Sequence, residues 1–168
     1  MPMINRNWFS VVLLLAIFAG PGYASNACCI PVSVELSVGA PIDGQPTLRA
    51  KLRNTSGQAI TVDGSRLPWG NRYSITLLAV PERSQPLLLL FPIDDPMKED
   101  VTIKPGESLE GTIRLGSFFR GIADAVKKSP VLVLWSYQLK TVDGEQSERI
   151  TGAVELSSVA NAPPTGQR

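Results

Sequence analysis

The chain repeats one pattern, apolar and polar residues taking turns with a period of two. Val32, Val34, Leu36 and Val38 alternate with Ser33, Glu35 and Ser37, as a half-buried strand requires. Leu48, Ala50 and Leu52 alternate with Arg49, Lys51 and Arg53, a second strand with a basic outer face. Ala59 to Val62 predicts a short third strand, and Tyr73, Ile75 and Leu77 mark a fourth, with Ser74 and Thr76 pointing away. Leu87 to Phe91 is apolar throughout and reads as a strand buried on both faces. Val101 to Ile103 is short and extended, and Leu109, Gly111, Ile113 and Leu115 alternate with Glu110, Thr112 and Arg114. Turn signals separate these runs: Pro41-Ile42-Asp43-Gly44, Asn54-Thr55-Ser56-Gly57 and Lys104-Pro105-Gly106-Glu107.

The most informative stretch is Val131 to Leu156. Its first arm, Val131 to Val142, is rich in β-branched and aromatic residues. Asp143-Gly144 then suits a two-residue type I′ turn. That turn would set Val142 opposite Glu145. Counting outward pairs Tyr137 with Ile150, Trp135 with Gly152, Val133 with Val154 and Val131 with Leu156. The other face holds Gln138 with Arg149, Ser136 with Thr151 and Leu132 with Glu155. A large ring over a strand glycine covers bare backbone. A lone hairpin is marginal in water, so other strands must cover the Trp135 face.

One helix is predicted before this hairpin. Ser117 is placed to cap it, Phe118, Ile122 and Val126 share a stripe, Lys127 and Lys128 suit its C-terminus, and Pro130 stops it. Seven to nine short strands with a single helical detour predict an all-β fold, an immunoglobulin-like antiparallel β-sandwich. A chain of 168 residues suits one such domain, over residues 30–158, with a polar tail at 159–168 expected to be disordered.

Residues 1–27 have the layout of a secretory signal peptide. Arg6 supplies the charge, and Val11 to Ala19 is apolar but too short for a ~20-residue span. Small residues in Gly22-Tyr23-Ala24 and Ser25-Asn26-Ala27 offer cleavage positions, and an uncleaved anchor is the alternative. Export to the periplasm or surface of a bacterium is the expectation. Cleavage would leave 15 basic against 15 acidic residues, with no field to steer nucleic acid or an anionic membrane. The two cysteines, Cys28 and Cys29, are adjacent, so no disulfide ties distant parts of the fold. Three readings stand: an incidental pair, a vicinal or intermolecular disulfide, and lipidation of Cys28, since Ser25-Asn26-Ala27-Cys28 resembles a lipobox end. Membrane attachment is expected only under the third.

The chain has no histidine, which excludes Ser-His-Asp and Cys-His catalysis and any histidine-ligated metal. No spacing points to Ser-Lys or paired-carboxylate chemistry, so no enzyme activity and no cofactor are expected. Binding is the remaining class. Trp69, flanked by Pro68 and Gly70 in a loop with Arg66, can anchor a partner or plug the end of the sandwich. Asp94 and Asp95, with Glu99 and Asp100, form an acidic loop. It lacks the EF-hand spacing for calcium and is a second binding candidate. Arg49, Lys51 and Arg53 suit protection of an exposed strand face.

The Asn54-Thr55-Ser56-Gly57 turn, Ile60 and Val62, and Lys104-Pro105-Gly106-Glu107-Ser108 before Gly111 to Leu115 resemble stretches of immunoglobulin-like secreted domains. These include intracellular proteinase inhibitors of the BsuPI type and the sandwiches preceding some secreted metalloendopeptidases. Arg66-Leu67-Pro68-Trp69 is similar to the Arg-Pro-aromatic loop of chagasin-like cysteine-protease inhibitors, with a leucine intervening and that family's glycine-rich loop missing. The resemblance implies a sandwich rather than an activity. The expectation is a binding module for a protein or envelope component. A loop-inserting protease inhibitor and a lipid-anchored structural envelope protein are the alternatives.

Overall fold

The structure, a computed structural model, describes residues 29–90 and 98–157. Eight strands appear among them: β1 (Val32–Val38), β2 (Thr47–Asn54), β3 (Ile60–Asp63), β4 (Ile75–Pro81), β5 (Asp100–Ile103), β6 (Ser108–Arg114), β7 (Val131–Tyr137) and β8 (Ile150–Leu156). One helix, α1 (Ile122–Lys128), precedes the last two strands. All strand pairings are antiparallel, in the orders β1-β2-β6, β3-β5 and β4-β7-β8. The fold is an all-β, immunoglobulin-like sandwich, with the period-two pattern as its cause. Leu48, Ala50 and Leu52 of β2 are fully buried, while Arg49, Lys51 and Arg53 between them are exposed. From the opposite sheet, Ile75, Leu77 and Ala79 of β4, and Val131, Val133, Trp135 and Tyr137 of β7, enter the same core.

Side chains close the turns where the sequence signalled them. Asn54 is fully buried. Its amide donates to the carbonyls of Gln58 (2.8 Å) and Ile103 (2.9 Å), and its carbonyl accepts from the backbone amide of Ser56 (2.9 Å). It thereby ties the second turn to the end of β5. At Lys104–Glu107, the Glu107 amide donates to the Lys104 carbonyl (3.0 Å) and Gly106 supplies a φ of 75°.

The β7–β8 register is as counted: Tyr137 faces Ile150, Trp135 faces Gly152, Val133 faces Val154 and Val131 faces Leu156. The tip differs. Thr141, not Val142, faces Glu145, with the Thr141 amide donating to the Glu145 carbonyl (2.9 Å) and the Gly144 amide to the Thr141 carbonyl (3.2 Å). Only Gly144 takes a positive φ, 90°. The loop is therefore three residues, a turn followed by a left-handed glycine. Left alone, the extra tip residue would displace every pair by one. It is offset at Ser147, whose amide donates to the Leu139 carbonyl (2.9 Å), so that Leu139 to Tyr137 is matched by Ser147 to Ile150. One extra residue bulges the second arm. Past the bulge the hairpin changes neighbours. The Val142 amide donates to the Thr61 carbonyl of β3 (3.0 Å), and the Ile30 amide to the Gln146 carbonyl (2.9 Å).

Three further expectations are corrected. Ser117 does not cap the helix. It ends a turn of 3-10 helix, Leu115–Ser117, and its hydroxyl donates back to the Arg114 carbonyl (2.7 Å). Gly121, at φ 73°, precedes α1 instead and leaves Phe118 outside it. Of the Leu87 to Phe91 stretch, Phe91 lies outside the described residues, and Leu87–Leu90 forms no strand buried on both faces. It touches β4 through the Leu87 amide on the Ala79 carbonyl (2.8 Å), pairs singly at Leu89 with Phe119, and leaves Leu88 exposed. Four leucines fit one β edge, but only alternate ones reach the core. Finally, Tyr73 stands outside β4 and is 68% exposed. The Asn71 side-chain carbonyl accepts from the Tyr73 amide (2.6 Å), a local turn that delays the strand until Ile75.

Candidate functional site

The loop between β3 and β4, Asp63 to Ser74, carries both Arg66 and Trp69. It starts with one turn of 3-10 helix, Gly64–Arg66, capped by Asp63, which accepts from the Ser65 amide (2.7 Å). Hydrogen bonds from the Ser65 side chain and then its backbone hold the Asp63 carboxyl below its ordinary pKa. Two glycines let the chain fold on itself. A Cβ on Gly70 would lie 2.3 Å from the Gly64 carbonyl oxygen, and one on Gly64 would lie 2.7 Å from that of Glu99. Backbone contacts that close exclude any side chain.

Three long-range side-chain ties and one backbone hydrogen bond hold the loop to the rest of the domain. The Tyr137 hydroxyl donates to the Arg66 carbonyl (2.9 Å). Burial pushes that phenol's pKa up, so it stays a donor. Buried Arg72 donates to the carbonyls of Ser117 (3.1 Å) and Phe118 (3.3 Å), with its guanidinium carbon 5.3 Å from the Phe118 ring centre. The Lys98 ammonium donates to the Gly70 carbonyl. The Gly64 amide donates to the Glu99 carbonyl (3.1 Å). Lys98 and Glu99, at the C-terminal end of the acidic loop, are thus fastened to the loop that holds Arg66 and Trp69. Asp94 and Asp95 lie outside the described residues, as does Cys28.

What the loop shows to solvent follows from this anchoring. Trp69 is half-buried, its ring laid on Gly111 of β6, where a Cβ would come 2.0 Å from Cδ2. Gly111 faces Ala50 of β2, so two small residues make the hollow that takes the indole. Arg66 is exposed, and Tyr73 is the most exposed aromatic side chain among the described residues. Sequence reasoning found Arg66 and Trp69 but read Tyr73 as a strand residue. Asn71, two positions earlier, was the signal that the strand had not begun.

Among the described residues no cluster of three or more Cys, Asp or Glu could hold a metal. Free, half-buried Cys29 lines a polar cleft of about 430 Å³ with Ser56, Gln58, Thr141 and Glu145, below the hairpin tip.

No family model matches the chain, and no curated protein does. Among solved structures it is similar to Northeast Structural Genomics Consortium target SoR45, at 10% identity and a TM-score of 0.44, over 83% of this chain and 94% of that one. It is also similar to a protein from Archaeoglobus fulgidus, at 14% identity and a TM-score of 0.35, over 75% of this chain and 95% of that one.

Proposed function

We propose that this chain is a non-catalytic binding domain of the bacterial cell envelope, exported by its N-terminal leader, that takes a protein or other envelope component through the Asp63–Ser74 loop. The observation that carries the reading is a loop made rigid from three sides that nonetheless presents Tyr73 at 68% exposure. A free aromatic on a preorganised backbone loses little entropy on docking, and tyrosine and arginine are the residues that most often anchor interfaces. Arg66 adds a planar donor, and the half-exposed edge of Trp69 adds apolar area between them. A photo-crosslinking residue at position 73, expressed in the native envelope, tests this. A discrete partner band from positions 73 and 66, missing from Thr112 on the side of β6 turned away from Trp69, supports it. Equal labelling from all three positions removes it.

A further inference from the structure

The outer faces of the two sheets differ: β2 and β6 turn Arg49, Lys51, Glu110 and Arg114 outward, while β4 and β7 turn out Leu78, Leu132 and Leu134 at 40–42% exposure. Their edges differ too. β4 is met by the Leu87 amide at the Ala79 carbonyl, β3 by the Val142 amide at the Thr61 carbonyl, and β1 runs beside β8. β5 is only four residues long. β6 has seven, ends its sheet, and has no strand on its open side among the described residues. Which groups it leaves open follows from alternation. The Asn54 amide donates to the Glu107 carbonyl and the Leu115 amide to the Pro46 carbonyl, so the odd-numbered residues along β6 bond to β2. The amides and carbonyls of Ser108, Glu110, Thr112 and Arg114 point to the open side. Of these, only the Arg114 carbonyl has a partner among the described residues, the Ser117 hydroxyl (2.7 Å). The usual protections of such an edge are a proline, a lysine, an inward charge or a bulge. β6 has none of them, and its inward residues are Leu109, Gly111 and Ile113.

We propose that two copies of the chain join at this edge, β6 pairing antiparallel with β6 about a two-fold axis at Thr112, so that the two three-stranded sheets become one. The argument is charge complementarity, and it selects the register. Only registers that set even-numbered residues opposite even-numbered ones can bond, because those carry the open groups. With the axis at Glu110, that acid faces itself. With the axis at Gly111, Glu110 faces Thr112 and Arg114 faces Ser108. With the axis at Thr112, Glu110 of each copy faces Arg114 of the other, both on the outer face. Arg114 has no ion-pair partner among the described residues. Glu110 meets Arg49 within its own sheet at 2.5 Å, and the second copy's Arg114 reaches it from the open side. Thr112 faces Thr112, a favourable pair of β-branched residues. On the inner side Ile113 faces the second copy's Gly111, beside the indole that covers it. About six main-chain hydrogen bonds form, and the Arg114 carbonyl has a second lone pair for its share. The assembly is closed, since the pairing uses both β6 edges.

The length of the overlap sets the strength. It runs from Glu110 to Arg114, ~17 Å of strand in a sheet whose side chains fill a layer ~10 Å deep. That covers roughly 200–300 Å² per copy, well under the ~800 Å² per partner of a stable complex. The dimer is therefore weak and reversible. It does not depend on what the Asp63–Ser74 loop binds. A crosslinker at position 112 would capture the second copy, at twice the mass of the chain, which is distinct from a partner band at positions 66 and 73.

Sedimentation equilibrium on the purified protein with its thiols kept reduced, from about 10 µM to about 1 mM, tests the proposal. The expected result is a monomer–dimer equilibrium. Arg114→Glu and Glu110→Arg each set like charges opposite one another at both ends of the pairing, and each should weaken the dimer about ten-fold. Mixed in equal amounts, the two variants restore an acid opposite a base at both ends. The mixture should dimerise within about two-fold of the wild type. Thr112→Pro removes an amide that bonds nothing within the chain, so it should abolish the dimer and leave the fold intact. If that proline perturbs folding, the charge variants still test the geometry, since they change only exposed side chains. A wild-type chain monomeric throughout that range overturns the proposal and leaves the edge to an extended segment of another protein. A dimer indifferent to Arg114→Glu also overturns it, as does a mixture no tighter than either variant alone.

Discussion

Trp135 and Trp69 each lie across a strand glycine, but the two pairs are built from different distances along the chain. Trp135 meets Gly152 within one hairpin, and their register follows from counting away from the turn. Trp69 meets Gly111 from a loop, across 42 residues and between elements that share no strand ladder. Trp135 is 8% exposed, while Trp69 is half-buried at the sandwich edge. A strand glycine signals a close approach by something, and only when the visitor is a hairpin neighbour does the sequence name it. At Trp69 the same arrangement serves a second end. It fixes the loop that displays Arg66 and Tyr73.

The comparison can be broken by mutation. The largest effect should come from Trp135→Ala, which empties a core site and costs about 3–5 kcal/mol. Trp69→Ala removes a half-buried ring and should cost about 2 kcal/mol. Equal losses in urea titrations would make the two rings equivalent and the distinction empty. Trp135→Phe should cost far less than Trp135→Ala. Its Nε1–H is buried with no acceptor among the described residues, so losing it offsets part of the lost area.

The glycines sharpen the comparison further. Gly152→Ala places a Cβ 2.5 Å from Trp135 Cζ2, and Gly111→Ala places one 2.0 Å from Trp69 Cδ2. Each should cost about 1–3 kcal/mol by overpacking. In a Trp69→Ala background, Gly111→Ala should cost almost nothing, a coupling of more than about 1 kcal/mol in a double-mutant cycle. Additive losses would show that the ring does not rest on Gly111. Tyr137→Phe should cost about 1 kcal/mol by freeing the Arg66 carbonyl, and should raise hydrogen exchange in residues 64–74 while sparing β7 and β8.

The smallest effect is with pH. No histidine titrates, so the melting temperature should be flat between about pH 5.5 and 8. Asp63 and Glu110 have depressed pKa values, from the Ser65 hydrogen bonds and the Arg49 hydrogen bond respectively. Their contribution is present above the ordinary carboxylate range and is lost as acid protonates them in the folded state. Tyr137 is shifted up by burial, so its contribution is present below about pH 10 and lost above it, where the unfolded phenol ionises first. Asp63→Asn should shrink the acid-side loss. A melting temperature that moved between about pH 6 and 7 would contradict this assignment.

The amphipathic alternation exposed most of the fold. β1 spans the Val32–Val38 run, β2, β3, β5 and β6 fall on their predicted stretches, and the β7–β8 pairs match the count. That last agreement conceals two one-residue differences, a longer tip and a bulge at Ser147–Arg149, which cancel because the burial of Trp135 and Tyr137 permits only one register. The misreadings share a cause. Tyr73, Leu87–Leu90 and Ser117 were assigned from local pattern, while Asn71, the β4 edge and Gly121 decided them. Arg66 and Trp69 were visible as an aromatic and a base in a loop. Buried Arg72 and the glycine contacts that stiffen that loop were not, since each depends on a partner tens of residues away.

By itself the sequence determined which residues face inward, because a strand has only two sides and burial favours the apolar one. It determined the pairing of the final hairpin for the same reason. Only the tertiary structure decided that Trp69 rests on Gly111 while Tyr73 stands in solvent, and that one outer face is charged while the other is leucine. Those depend on how separate sheets and loops meet, and contacts between distant segments leave no period in the chain to read.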